Sequence, residues 1–163
     1  MLCSCDAAAA SRGVLPVTAL QEAQPVDIII YHNPACGTSR NVLGLIRNAG
    51  IEPEIIEYLQ APPGRATLEA VIARMQVPVR DLVRQKEALY AELALADADD
   101  AALVDAMLAH PVLINRPVVI TERAARLCRP SETVLELLPL PQRGAFAKED
   151  GQPVVDAAGR PIA

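Results

Sequence analysis

The sequence predicts an α/β fold, in which a mixed sheet is packed by helices and interrupted by an inserted helical subdomain. A β-α-β pattern over 27–64 is the first observation behind this prediction. The second is the stretch 65–110, where apolar residues recur at helical spacing. The third is the return of short apolar runs, separated by prolines, over 111–141. The length of 163 residues suits one domain, since domains most often hold roughly 100–150 residues.

The first part of the sheet is predicted from one strand, one helix and a second strand. Residues 28–31 form an apolar, largely β-branched run that is typical of a buried strand. Apolar positions over 42–49 then follow a helical period, and Gly50 is a helix stop. A second strand is predicted at 55–58. The turn between the first strand and the helix carries Cys36.

The second part of the sheet follows the helical stretch. One strand, interrupted at Pro117, is predicted at 112–114 and 118–120, and a second strand is predicted at 126–128. A helix is predicted over 131–138. The complete order is therefore β-α-β, a set of short helices, and β-β-α. This order is that of a thioredoxin-like mixed sheet with an inserted helical subdomain.

We divide the chain into an extension and one domain. Residues 1–26 show no sustained hydrophobic period, so we expect a poorly ordered N-terminal extension. The domain spans 27–163. Its parts are a thioredoxin-like core (27–64 and 111–141), a helical insert (65–110) and a C-terminal tail (142–163).

Composition and cysteine spacing exclude several classes of function. The net charge of −5 and pI of about 5.0 argue against a broad nucleic-acid interface. No apolar run approaches the ~20 residues of a membrane span, so we expect no membrane partner. The cysteines Cys3, Cys5, Cys36 and Cys128 form no C-x2-C pair, and we expect no metal site. The N-terminal residues do not form a signal peptide, and reduced thiols in the cytoplasm are the prediction.

Cys36 is the first candidate for chemistry, because the turn between a strand and a helix is where α/β sheets place ligands. Free N–H groups and the helix dipole favour an anion or a thiolate there. The alternative is that Cys36 is a small buried apolar residue. Ser39 stands where a C-x-x-C motif has its second sulfur, so a partner thiol must come from outside or from Cys128. Val42 stands where the C-x5-R loop of phosphatases has its arginine, which argues against phosphoester hydrolysis.

The segment 31–41, which reads YHNPACGTSRN, resembles the active-site segment of glutaredoxin-coupled arsenate reductases, the ArsC family. The segments LINRP at 113–117 and RLCRPSE at 126–132 resemble the same family. The resemblance covers roughly residues 28–160, and its motifs are long and specific.

The resemblance implies a set of site residues. Cys36 matches the catalytic cysteine, and His32 matches a histidine near the thiol. Arg84, Arg116 and Arg129 match three arginines that surround the substrate oxyanion. Physical chemistry agrees, because guanidinium groups bind tetrahedral oxyanions through charge-assisted hydrogen bonds. Whether the histidine lowers the pKa of the thiol or only caps the turn stays open.

The function implied by the resemblance is the reduction of arsenate to arsenite, as in arsenic detoxification. A cysteine–arsenate adduct would be resolved by glutathione as co-substrate and by glutaredoxin, with no bound cofactor. Two alternatives stay open at this point. One is an Spx-like redox-sensing regulator that binds RNA polymerase, and the other is a glutathione-linked oxidoreductase with another substrate.

Overall fold

A four-stranded mixed sheet organises residues 27–162, the part of the chain that the computed structural model describes. The strands lie in the order β2-β1-β3-β4, with β1 parallel to β2 and antiparallel to β3, and with β3 antiparallel to β4. The strands are β1 Ile29–Tyr31, β2 Glu54–Ile56, β3 Val118–Ile120 and β4 Ala125–Leu127. This mixed sheet confirms the predicted fold class. The predicted extension over 1–26 lies outside the described residues.

The helices flank this sheet, and most of them lie between β2 and β3 in the chain. They are α1 Gly37–Asn48, α2 Arg65–Met75, α3 Val79–Leu82, α4 Ala88–Glu92 and α5 Asp100–Ala109, with 3-10 turns at Leu95–Asp97, Pro111–Leu113 and Ser131–Glu136. A small hairpin of β5 Phe146–Ala147 and β6 Pro153–Val155 ends the described chain. Within residues 27–162 no helix has the length and apolar character needed to cross a membrane.

The two faces of the sheet bury two separate hydrophobic clusters, because side chains alternate along each strand. Ile28 and Ile30 pack with α1 and the hairpin, whereas Tyr31 packs with the inserted helices. In β3, Val119 faces the α1 side and Val118 faces the insert side. The sheet is thus covered on both faces, with α1 on one and the insert on the other.

Two elements differ from the sequence prediction. The strand predicted at 112–114 is wrong, since Pro111–Leu113 is a 3-10 turn. Backbone hydrogen bonds of 2.9 Å from the N–H groups of Leu113 and Ile114 to residues three positions earlier close this turn. The helix predicted over 131–138 is a shorter 3-10 helix, Ser131–Glu136. The φ of about −65° that proline imposes at Pro111 suits a 3-10 turn better than a strand.

A single β-bridge joins the insert to the loop before β3. Val83 pairs antiparallel with Ile114. The N–H of Arg84 donates to the carbonyl of Leu113 at 2.7 Å, and the N–H of Asn115 donates to the carbonyl of Leu82 at 2.7 Å. This bridge brings the chain at residue 84 beside the chain at residues 115–116.

Candidate active site

Cys36 is the N-cap residue of α1 and lies directly beyond β1 in the chain. Its backbone is extended, with φ −103° and ψ 116°. The preceding loop is held by Asn33, whose carbonyl accepts from the N–H of Cys36 at 2.9 Å and whose Oδ1 accepts from the N–H of Ala35 at 2.9 Å. Cys36 is partly exposed. Its thiol therefore lies at the start of a 12-residue helix, where the helix dipole favours negative charge.

The surroundings of Cys36 favour the thiolate. Burial opposes ionisation of the thiol, but the N–H and the hydroxyl of Ser39 donate to the sulfur. The positive charges of Arg116 and Arg129 add to this effect. The net result is a pKa of Cys36 below its usual range. The sulfur is therefore prepared to act as a nucleophile.

A cavity of about 510 Å³ opens over this sulfur. It brings Cys36 together with the predicted Arg84, Arg116 and Arg129. These arginines come from three places in the fold, namely the insert, the loop before β3 and the end of β4. Its remaining lining residues are Asp81, Val83, Gln85, Lys86 and Asn115. The cavity is thus cationic, although the whole chain is acidic.

The three arginines differ in how their charges are balanced. Arg84 pairs with Glu87, with Nη1 and Oε2 2.7 Å apart. Arg129 donates from Nη1 to the carbonyl of Arg116 at 3.0 Å, which links the two loops. The Nε and Nη1 atoms of Arg116 are buried and have no hydrogen-bond partner among the described residues. Both loops contain a cis peptide bond, at Arg116–Pro117 and Arg129–Pro130.

His32 does not line the cavity. It is buried, and its backbone N–H donates to the carbonyl of Ile56 at 2.8 Å. The ring Nδ1 has no hydrogen-bond partner among the described residues. Burial lowers the pKa of His32, Glu57 opposes the change, and Arg40 and Arg47 add to the lowering. The ring is therefore neutral at neutral pH. This environment disfavours a protonated His32 that lowers the pKa of the Cys36 thiol. The other role left open by the sequence, capping of the turn, does not need a charged ring.

Cys128 is fully buried, and its Sγ lies 3.6 Å from the carbonyl of Arg126. Burial raises the pKa of Cys128 to about 12. A thiol with this pKa is protonated at neutral pH, and because it is fully buried, solvent does not reach it. Its environment favours a structural role.

The sequence reasoning missed several residues of the site. Ser39 is not among the predicted site residues, yet hydrogen bonds from its N–H and hydroxyl lower the pKa of Cys36. Asn115 lines the cavity, and its position before Arg116 in the matched segment LINRP was the available signal. Gln85 and Lys86 follow Arg84 directly, and nothing in their pattern distinguished them from exposed polar residues. Within 27–162, no group of three His, Cys, Asp or Glu side chains is arranged to hold a metal ion.

Comparisons with known proteins identify the family of the chain. Residues 31–137 match the model of the ArsC family. The arsenate reductase of Rhizobium meliloti (strain 1021) is 57% identical over 137 residues, which cover 83% of this chain and 98% of that protein. The arsenate reductase of Escherichia coli (strain K12) is 58% identical over 136 residues, covering 82% and 96%. The solved arsenate reductase from Vibrio cholerae is 42% identical, with a TM-score of 0.68 over 71% of this chain and 100% of that one. The chain therefore belongs to the ArsC family.

Proposed function

We propose that this protein is an arsenate reductase that converts arsenate to arsenite, with Cys36 as the nucleophile. The observation that carries the proposal is one cavity holding a partly exposed cysteine of lowered pKa together with Arg84, Arg116 and Arg129. The relatives that cover most of the chain carry the same activity in their names.

The arginines supply the binding of the oxyanion. Arsenate at neutral pH is a tetrahedral anion with several acceptor oxygens, and guanidinium groups offer paired donors to such oxygens. Arg116 has two buried N–H groups without a protein partner, so it is the strongest candidate for direct contact. Arg129 and Arg84 line the same space from the sheet side and the insert side.

The reduction needs two thiols. The Cys36 thiolate attacks arsenic(V), a sulfur–arsenic bond forms, and one oxygen leaves as water after protonation. The sulfur of a second thiolate then attacks the Cys36 sulfur, and the sulfur–arsenic bond breaks with its electron pair left on arsenic. Arsenic(III) leaves as arsenite, and the two sulfurs remain joined in a mixed disulfide. Among residues 27–162, Ser39 has no sulfur and the one other cysteine, Cys128, is buried, which supports a second thiol supplied by a separate molecule.

Glutathione is the co-substrate we propose for this second step, and no cofactor need be bound. The cavity is larger than a single oxyanion requires. Lys86 and Gln85 offer donors to the carboxylates of a peptide thiol, and Asp81 offers an acceptor for its ammonium group. Because Cys36 is partly exposed, glutaredoxin can clear the mixed disulfide by thiol–disulfide exchange.

Arsenite production with and without glutathione plus glutaredoxin tests this function. We expect arsenite only when both are supplied, and complete loss of turnover in Cys36→Ser. Cys128→Ala is the matched control and should keep turnover within about twofold, because Cys128 is buried outside the cavity and its thiol takes no part in the reaction.

Two results would contradict the proposal. Glutathione-dependent turnover of a disulfide substrate without any arsenite would indicate an oxidoreductase of another specificity. Binding of RNA polymerase subunits without turnover would indicate a regulator, for which three arginines around a small cavity have no evident use.

A further inference from the structure

The chain after the 3-10 helix Ser131–Glu136 runs along α1 and contacts it at both ends. We call residues 142–149 the C-terminal strap. At the end of the helix, Gln142 donates from Nε2 to the carbonyl of Leu45 at 3.0 Å, and the N–H of Arg143 donates to the carbonyl of Asn48 at 2.9 Å. The Asn48 side chain donates to Gln142 Oε1 at 2.7 Å. The bond from Arg143 satisfies the carbonyl of Asn48, one of those that a helix leaves free at its C-terminus.

The strap then passes the middle of α1 and reaches its first turn. Phe146 lies so close to Gly44 that an added Cβ there would be 2.7 Å from the ring. Near the start of the helix, the N–H of Glu149 donates to Asn41 Oδ1 at 3.1 Å. The strap therefore holds the helix that carries Cys36 along its whole length.

Arg40 connects the strap to the loop before Cys36. Its Nε and Nη2 atoms donate to the two carboxylate oxygens of Glu149, the latter at 2.7 Å, and its Nη1 donates to the carbonyl of Pro34. The Glu149 carboxylate also lies beside Gly37, where an added Cβ would be 3.2 Å from Oε2. One guanidinium thus fixes the positions of a strap carboxylate and of a loop carbonyl two residues before Cys36.

We infer that Glu149 is a positioning residue for the reaction at Cys36, acting through Arg40 on the Pro34 carbonyl and so on the loop that presents the sulfur. The inference rests on the proposed function for its kinetic test. It concerns a segment outside residues 31–137, which are those matched by the family model. The fixed geometry matters because a misplacement of about 1 Å can cost on the order of 100-fold in rate.

The experiment compares Glu149→Gln with a matched control on the same helix. Arg47 and Glu52 form a similar exposed bidentate pair at the other end of α1, away from the Cys36 loop. Glu52→Gln therefore removes the same charge and the same kind of pair. Three quantities are measured for each variant: kcat for arsenite production, the pH profile of Cys36 alkylation by iodoacetamide, and the thermal unfolding midpoint.

We expect Glu149→Gln to lower kcat about tenfold relative to Glu52→Gln, with equal unfolding midpoints, because the loop carbonyl loses its fixed partner. The midpoint of the alkylation profile should move to lower pH. Arg40 keeps its charge and loses its counter-ion, and Arg116, Arg129 and Ser39 still face the sulfur. Arg40→Lys should lower kcat similarly, and the double variant should be no slower than either single one.

Equal kcat and equal alkylation profiles in Glu149→Gln and Glu52→Gln would overturn the inference. So would losses in Arg40→Lys and Glu149→Gln that multiply in the double variant, since the two residues would then act separately. If the unmodified protein makes no arsenite, the proposed function fails. The alkylation profiles still decide whether Glu149 acts on Cys36.

Discussion

Ser39 stands where a C-x-x-C motif has its second cysteine, and it acts on Cys36 in a different way. A dithiol motif would place a second sulfur at this position, and the chain places a buried hydroxyl there. That hydroxyl and the Ser39 N–H donate to the Cys36 sulfur, and the hydroxyl also accepts from the N–H of Asn33 at 3.4 Å. The residue thus stabilises the thiolate while leaving the second thiol to come from a separate molecule.

Ser39→Ala should raise the pKa of Cys36, because one donor to the thiolate is lost. Below that pKa the sulfur is protonated and unreactive, so alkylation should slow at neutral pH and recover as the pH rises. The measurement is the alkylation rate of Cys36 against pH. Ser131→Ala removes another buried hydroxyl outside the cavity and should leave the profile unchanged. An identical profile in Ser39→Ala would show that the hydroxyl does not act on the sulfur.

The two cysteines of the described region should differ sharply in reactivity. Cys36 is partly exposed with a lowered pKa, whereas burial raises the pKa of Cys128 to about 12. In a variant with Cys3 and Cys5 replaced by serine, a disulfide reagent at neutral pH should titrate one thiol in the folded protein and two after denaturation. Two rapidly reacting thiols in the folded protein would contradict the structural role of Cys128.

At the scale of elements, runs and periods of apolar residues predicted the strands and helices that local interactions determine. The strand at β1, the helix α1 with its stop at Gly50, and the helical insert all follow from runs and periods in the sequence. The error at 112–114 arose because three apolar residues have no period long enough to distinguish a strand from a 3-10 turn. The strap was named only as a tail, since Arg40 and Glu149 are 109 positions apart and no local pattern joins them.

The start of the insert offers an element-scale test of stability. Gly64 is the N-cap of α2, its φ is −71°, no side chain caps the helix, and an added Cβ would meet nothing within 4 Å. Gly64→Asp should therefore stabilise the protein by about 0.5–1 kcal/mol, through a cap bond and a less flexible unfolded chain. Urea unfolding measures the change.

Gly50 provides the opposite case for the same assay. Its φ is +78°, and an added Cβ would lie 2.0 Å from the Arg143 guanidinium. Gly50→Ala should destabilise the protein by roughly 1–2 kcal/mol, because the left-handed conformation is unfavourable for alanine. A Gly64→Asp variant as unstable as Gly50→Ala would contradict the role of residue 64 as an open N-cap.

At the scale of the whole molecule, the site concentrates positive charge in an acidic protein. The net charge is −5, yet Lys86 and three arginines line one cavity together with the single carboxylate of Asp81. The sequence could identify Arg116 and Arg129 through their matched segments, and the family resemblance added Arg84. It could not show that the bridge between Val83 and Ile114 brings the insert's arginine to the other two. An oxyanion bound among the three arginines would contact both the insert and the loops of the sheet.

Arg116→Met should separate the stability of the fold from the binding of the anion. Two N–H groups of Arg116 are buried without partners, and such groups cost roughly 1–3 kcal/mol each in desolvation. Without anion, the free energy of unfolding measured in urea should be about 1 kcal/mol higher for the apolar variant than for the parent protein.

Arsenate without added thiol should raise the free energy of unfolding of the parent by about 2.7 kcal/mol at 100 times its Kd, and should not stabilise the Arg116→Met variant. Arg126→Met, which removes an exposed arginine of β4 that pairs with Glu136, should keep the response to arsenate. An Arg116→Met protein that is less stable and still responds fully to arsenate would show that this arginine supports the fold and not the anion.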